Sequence, residues 1–186
     1  PIPSCAAADG ALTTANENYG RVPDTRALRR VRGERAHGCG PGCGRAIVRV
    51  LVCGGMGYIG SHVVVELLQR GHQVVIADNL VNSSTGVLRR IRKITNTGVD
   101  FRYVDLRDRH ALWSVFGEES FDAVIHLAAL KSVAESCTRP VDYFDNNVGG
   151  TIALLQAMRN SGVNRLVFSS SATVYGMKRG VPRAPP

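Results

Sequence analysis

The run Val48-Arg49-Val50-Leu51-Val52-Cys53 leads straight into Gly54-Gly55-Met56-Gly57-Tyr58-Ile59-Gly60, and a helical pattern follows at once. A β-branched strand, glycines spaced G-x-x-G-x-x-G and a helix start leave little room for anything but a dinucleotide-binding crossover unit. Gly54, Gly57 and Gly60 serve a turn that needs positive φ, bare backbone that a pyrophosphate can approach, and a helix packed closely on its strand. Free N–H groups and the positive end of the helix dipole then face the phosphates. The next β-branched run, Gln73-Val74-Val75-Ile76-Ala77, ends in Asp78. A carboxylate there, about 20 residues beyond the glycines, suits two ribose hydroxyls and repels a 2′-phosphate. The unit reads as one for NAD rather than NADP.

Regular alternation continues from Ala46. Strands are predicted over 47–53, 73–77, 99–104, 122–127 and 164–170, with helices over 58–70, 84–95, 108–117 and 140–160. In the second helix Val87, Leu88, Ile91 and Ile94 fall on one face and the charges on the other. The last helix carries Pro140 in its first turn and Leu154, Leu155 and Met158 as its apolar stripe. Strands and helices alternating at these lengths imply an α/β, doubly wound parallel sheet covered on both faces, a Rossmann fold. Such sheets bind ligands beyond the carboxyl ends of their strands, where the strand order reverses.

The chain has 186 residues and a net charge of +8, which invites a nucleic-acid reading. The location of the charge excludes it. Residues 1–45 hold seven Arg against four acids, and 177–186 hold Lys178, Arg179 and Arg183 against none; 46–176 holds thirteen basic and eleven acidic side chains. The folded part is nearly balanced, so no nucleic-acid partner is expected. No apolar run reaches the length of a membrane span or a signal peptide. Residues 1–45, with seven Gly and four Pro, read as a disordered extension; Asp9, Glu17, Asp24, Glu34 and the shortage of Ser count against an Arg-rich organellar address, and translated non-coding sequence would look much the same. The five cysteines are scattered and odd in number, which points to a reducing compartment rather than a disulfide framework. His37, Cys39 and Cys43 lack a fourth ligand, so no metal site is expected.

Two later segments carry chemistry. After the fourth strand come Leu127-Ala128-Ala129-Leu130-Lys131. The small Ala128 and Ala129 let backbone lie flat against a cofactor. Lys131 is either a cation beside phosphate and ribose or a surface lysine in a loop. The fifth strand runs into Ser169-Ser170-Ser171-Ala172-Thr173-Val174-Tyr175-Gly176. Its hydroxyls either meet a substrate oxygen or cap the strand. Asp105, after the third strand, either reaches the adenine or caps the helix that begins near Asp108.

These motifs, with Asp78-Asn79-Leu80, Leu130-Lys131-Ser132-Val133 and Asp145-Asn146-Asn147, resemble the UDP-glucose 4-epimerase family of extended short-chain dehydrogenase/reductases. The resemblance covers about 46–176. Sugar-nucleotide dehydratases place an acidic pair where this chain has Ala172 and Thr173, which disfavours them. The resemblance implies tightly held NAD, which takes hydride from C4 of a UDP-hexose and returns it to the opposite face, so that UDP-glucose and UDP-galactose interconvert. It matches Ser171 to the serine that hydrogen-bonds the 4-oxygen. It matches Tyr58, Ile59, Asp78, Asn79, Asn82, Ser83, Asp105, Leu106, Lys131 and Asn146 to cofactor contacts, alongside Gly54, Gly57, Gly60, Leu127, Ala128 and Ala129. It further implies a cytoplasmic enzyme and a homodimer.

One departure is large. The family base sits in a Tyr-x-x-x-Lys helix, yet Pro23, His62, Arg107, Asn147 and Arg179 stand four places after the five tyrosines. Residues 177–186 carry no strand or helix pattern and read as an irregular tail. The expectation is therefore an epimerase fragment whose NAD-binding domain is truncated and which is inactive alone. The alternatives are another extended-family enzyme acting on a UDP-sugar, or a non-catalytic nucleotide-binding product.

Overall fold

The computed structural model describes residues 47–171. Contacts divide the chain into Pro1–Gly40 and Pro41–Pro186, and every described residue belongs to the second unit. The 1–45 extension, the 177–186 tail, the His37/Cys39/Cys43 group and the Ala172–Gly176 end of the serine-rich segment lie outside the described residues.

Five strands form one sheet: β1 (Arg49–Cys53), β2 (Gln73–Asp78), β3 (Asp100–Tyr103), β4 (Ala123–His126) and β5 (Leu166–Phe168). Their order is β3-β2-β1-β4-β5 and all four pairings are parallel. The chain steps outward from β1 to β3 and then crosses back to β4, so the order reverses between β1 and β4. The expected doubly wound α/β sheet is what forms.

Strand β1 shows why both faces are covered. Side chains alternate, so Leu51 and Cys53 point to one face and Val50 and Val52 to the other. The Leu51 face packs on α3 (Arg109–Glu118) and α6 (Gly150–Ser161) through Leu112, Phe116, Leu154 and Met158. The Val52 face packs on α1 (Tyr58–Gln69) and α2 (Gly86–Thr95) through Val64, Val87 and Ile91. Full burial of each such side chain is worth about 1.5–3 kcal/mol. Glu119, just past α3, accepts from both Arg49 of β1 and Arg102 of β3.

Three expectations need correction. The helix predicted over 140–160 is not continuous: α5 (Pro140–Phe144) passes into a π-turn, Asp145–Gly149, before α6 begins. A short helix, α4 (Val133–Thr138), stands where only a loop is expected. Finally, Ile94 and Leu155 are 57% and 45% exposed, although their spacing assigns both to buried stripes.

Candidate functional site

The glycine turn sits at the C-terminal end of β1, where the strand order reverses. Gly54 has φ +78, and a Cβ there would come within 2.6 Å of the Ala128 backbone nitrogen. Glycine at this position lets the turn lie against the chain leaving β4. A Cβ on Gly60 would stand 2.1 Å from the Gly54 carbonyl oxygen, so this residue lets α1 seat on the turn. Gly57 is extended rather than left-handed, with φ −70 and ψ 174, and caps α1 without a side-chain hydrogen bond. No acid occupies the first turn of α1. A helix start with uncapped amides and glycine on its approach suits a phosphate.

Next to the turn lies a cleft of about 610 Å³, counting its open mouth. It brings together twelve of the residues expected to bind cofactor: Gly54 and Gly57 from the turn, Asp78, Asn79, Asn82 and Ser83 beyond β2, Asp105 and Leu106 beyond β3, Leu127, Ala128 and Ala129 beyond β4, and Asn146 of the π-turn. Tyr58, Ile59, Gly60, Lys131 and Ser171 are not among its lining. Tyr58 is 84% exposed. Lys131 and Ser171 are also exposed, Ser171 three residues past β5.

Asp78 does more than face the cleft. Its Oδ2 accepts from the Met56 amide at 3.0 Å, and its Oδ1 accepts from the Leu80 amide at 2.8 Å and the Ser83 hydroxyl at 3.2 Å. The carboxylate therefore braces the glycine turn and the loop after β2 while keeping acceptor capacity for a ligand hydroxyl. Beneath it the Cys53 thiol, fully buried, has its pKa pushed up to about 12 by burial and by the Asp78 charge. This thiol is inert.

Asp105 is placed with the cleft and does not cap the following helix. Asp108 does that itself, its Oδ1 accepting from the amides of His110 and Ala111. Asp105 is held by Arg107: its Oδ1 accepts the Arg107 backbone N–H and Nε–H at 3.0 Å, and its Oδ2 accepts Nη2–H at 2.8 Å. These bonds hold the Asp105 carboxyl at a pKa of about 2, with the guanidinium hydrogen bond as the largest cause. Arg107 reaches on with Nη1 to Asp145 Oδ2 at 2.9 Å, tying the β3 wall to the π-turn.

The π-turn positions two amides. Asn146 lines the cleft, while Asn147 grips the β4 loop on both sides, accepting from the Leu130 N–H at 2.8 Å and donating to the Leu130 carbonyl at 3.0 Å. Behind them His126, 2% exposed, pairs through Nε2 with Thr151 Oγ1 at 2.9 Å. Thr151 already donates its own hydroxyl proton to the Asn147 carbonyl, so the His126 Nε2 carries the donor hydrogen. Its Nδ1 is buried with no partner among the described residues, and burial lowers the imidazole pKa to about 4.

Sequence reasoning missed Arg107, Asn147 and Tyr143 as site-shaping residues. Tyr143 accepts from the Ser132 N–H and donates to Glu135, pinning α4 onto α5. Only Asn147 carried a usable sign, since it stands inside the Asp145-Asn146-Asn147 motif.

The model of the NAD dependent epimerase/dehydratase family matches residues 50–185. A UDP-glucose 4-epimerase of Neisseria meningitidis serogroup C is 52% identical over 134 residues, which is 72% of this chain and 40% of that protein. UDP-glucose 4-epimerase 1 of Oryza sativa subsp. japonica is 53% identical over 136 residues, 72% of this chain and 38% of that protein. Among solved structures, a UDP-glucose 4-epimerase from Stenotrophomonas maltophila with bound NAD and formylated UDP-arabinopyranose superposes with a TM-score of 0.69 at 54% identity, over 73% of this chain and 40% of that one. The chain thus spans about 40% of the length of the curated relatives it matches. The family model spans the glycine turn, Asp78, Asp105, Asn146 and the sheet that carries them, and this chain belongs to the NAD dependent epimerase/dehydratase family as a homologue of the UDP-glucose 4-epimerases.

Proposed function

We propose that this chain is the NAD-binding part of a UDP-glucose 4-epimerase. The observation that carries the reading is the cleft at the β1/β4 switch point, with glycine backbone on one wall and the Asp78 carboxylate beyond it. When bound, NAD supplies a reversible hydride acceptor for the sugar C4. The uncapped first turn of α1 holds the pyrophosphate, with Tyr58 and Ile59 giving amides. Asp78 accepts from the adenosine ribose, Asn82 and Ser83 flank it, and Asp105 faces the adenine. Ala128 and Ala129 form a flat wall; Lys131 and Asn146 orient the second ribose. Ser171 hydrogen-bonds the sugar 4-oxygen and steadies it as its proton leaves. The UDP-sugar partner, the cytoplasmic setting and a homodimer belong to the same reading. The homodimer is supported by the exposed Phe144, Val148, Ile152 and Leu155, which recur at helical spacing down α5, the π-turn and α6.

Two measurements test this. Calorimetry on the 186-residue chain should show NAD binding at least tenfold tighter than NADP, a difference of about 1.4 kcal/mol. Equal affinities would remove the assigned role of Asp78. The same chain should convert UDP-galactose no faster than buffer, because its 186 residues hold no Tyr-x-x-x-Lys and a positioned acid/base is worth roughly 10² to 10⁴ in rate. A chimaera in which residues 47–171 replace the matching stretch of the Neisseria meningitidis enzyme should then epimerise UDP-galactose. In it, Ser171→Ala should lower turnover far more than NAD binding. A folded, NAD-loaded chimaera without epimerase activity would favour another reaction of the family.

A further inference from the structure

Lys131 stands between two backbone anchors. On its N-terminal side the Asn147 carboxamide holds both polar groups of Leu130, accepting from the N–H at 2.8 Å and donating to the carbonyl at 3.0 Å. On its C-terminal side the Tyr143 hydroxyl accepts the Ser132 N–H at 3.1 Å and donates to Glu135 Oε2 at 3.0 Å. Tyr143 is 9% exposed, so this relay is anchored among packed side chains of α5 rather than in the loop itself. Leu130 lines the cleft, and Lys131 beside it is exposed. Among the described residues no hydrogen bond or ion pair engages its ammonium. Arg139, at the same corner, is by contrast paired with both Glu135 and Asp142. Three side-chain bonds thus fix the peptides flanking a cation that is itself left uncommitted. Fixing the backbone of one residue costs about 1–2 kcal/mol. Here that cost is met when the chain folds rather than when a ligand arrives, and only the flexible lysine stem is left to order. A lysine that merely solvates a loop gains nothing from such anchoring.

We propose that Tyr143 is a positioning residue for Lys131: with Asn147 on the other flank, it fixes the backbone so that the ammonium is presented to the second ribose of a bound dinucleotide. The proposal rests on the NAD-binding reading above and adds to it the residues through which Lys131 is placed. Because Tyr143 acts through Lys131, its hydroxyl should matter only to ligands that carry the second ribose, and only while the lysine is there.

The test measures NAD and ADP, which lacks the second ribose, by calorimetry on the 186-residue chain, with a thermal melt for each variant. Tyr143→Phe keeps the ring and loses the relay, so NAD affinity should fall about fivefold while ADP affinity stays within about twofold of the original. Lys131→Met should weaken NAD by a similar factor, and Tyr143→Phe added to it should cost nothing more. Arg139→Gln removes the neighbouring ion pairs, leaves the Tyr143 bonds in place and should leave NAD affinity unchanged. Asn147→Ala carries the same cycle on the other flank should Tyr143→Phe not fold. Equal losses for NAD and ADP overturn the assignment, as does a loss that persists in the Lys131→Met background, since either would make Tyr143 a residue that merely holds the corner. Loss of folding in both the Tyr143 and Asn147 variants overturns it in the same way. NAD binding that is indifferent to Lys131→Met would show that the lysine does not meet the ligand, and the proposal falls while the cofactor reading stands. Absence of NAD binding altogether would overturn the cofactor reading itself, and the inference with it.

Discussion

Among single residues, His126 has the most to say about pH. Buried between β4 and α6, it stays neutral in the native state down to about pH 4, against 6.5 for an ordinary imidazole. Between those values the unfolded chain binds a proton that the native chain does not. Stability is therefore complete above about pH 6.5 and falls as the pH drops toward 4, by up to about 3 kcal/mol at the lower limit. Urea midpoints measured from pH 7 to 4.5 should show this fall, and His126→Gln should flatten it. A slope unchanged by the substitution would move the effect elsewhere. Asp105, held at a pKa of about 2, acts in a lower window, its contribution lost only as the pH falls below the ordinary carboxylate range. Nothing in the string Ile125-His126-Leu127 distinguishes a buried histidine from a ligand; its Thr151 partner lies 25 residues away. The Asn147 grip on Leu130 crosses 17 residues, so its motif marks the residue without revealing what it holds.

At the scale of elements, the legible parts are those whose physics is local. Strand, turn and helix over Arg49–Gln69 follow from a β-branched run and glycines, and Gly60→Ala tests the reason. The added methyl would meet the Gly54 carbonyl oxygen at 2.1 Å, so the variant should lose more than about 2 kcal/mol and its NAD binding together. A variant that melts like the original would mean that α1 can shift to admit it. The helix α4 did leave a sign: Ser132 and Glu135 stand at capping-box spacing, and the Ser132 hydroxyl accepts from the Glu135 amide at 3.3 Å. The π-turn left none. One extra residue wound into a helix changes no composition and no apolar period over a single turn, yet it aims Asn146 at the cleft while Asn147 holds Leu130. Within α6, Leu154 and Met158 share the buried face, while Leu155 lies about 100° round the helix and is exposed.

At the scale of the molecule, the described residues leave apolar surface uncovered. Phe144 is 69% exposed, and β5, outermost on its side among the described strands, shows Leu166, Val167 and Phe168 at 37%, 60% and 53%. An outer strand and a run of bare apolar side chains favour association. The 186-residue chain should therefore elute as an assembly or bind a dye for apolar surface, and Phe144→Glu with Ile152→Glu should reduce both. A sharp monomer peak with cooperative melting above about 55 °C would contradict this. None of this surface touches the cleft, whose lining begins at Gly54 and ends at Asn146. Those walls come from one unbroken stretch of chain, made in order from the glycine turn to the π-turn. During synthesis the stretch leaves the ribosome before any residue of β5 does, so a nascent chain has every wall of its cofactor cleft in hand while later residues are still being added. Under the NAD-binding reading, cofactor bound at that stage would act as a scaffold for the residues still to come.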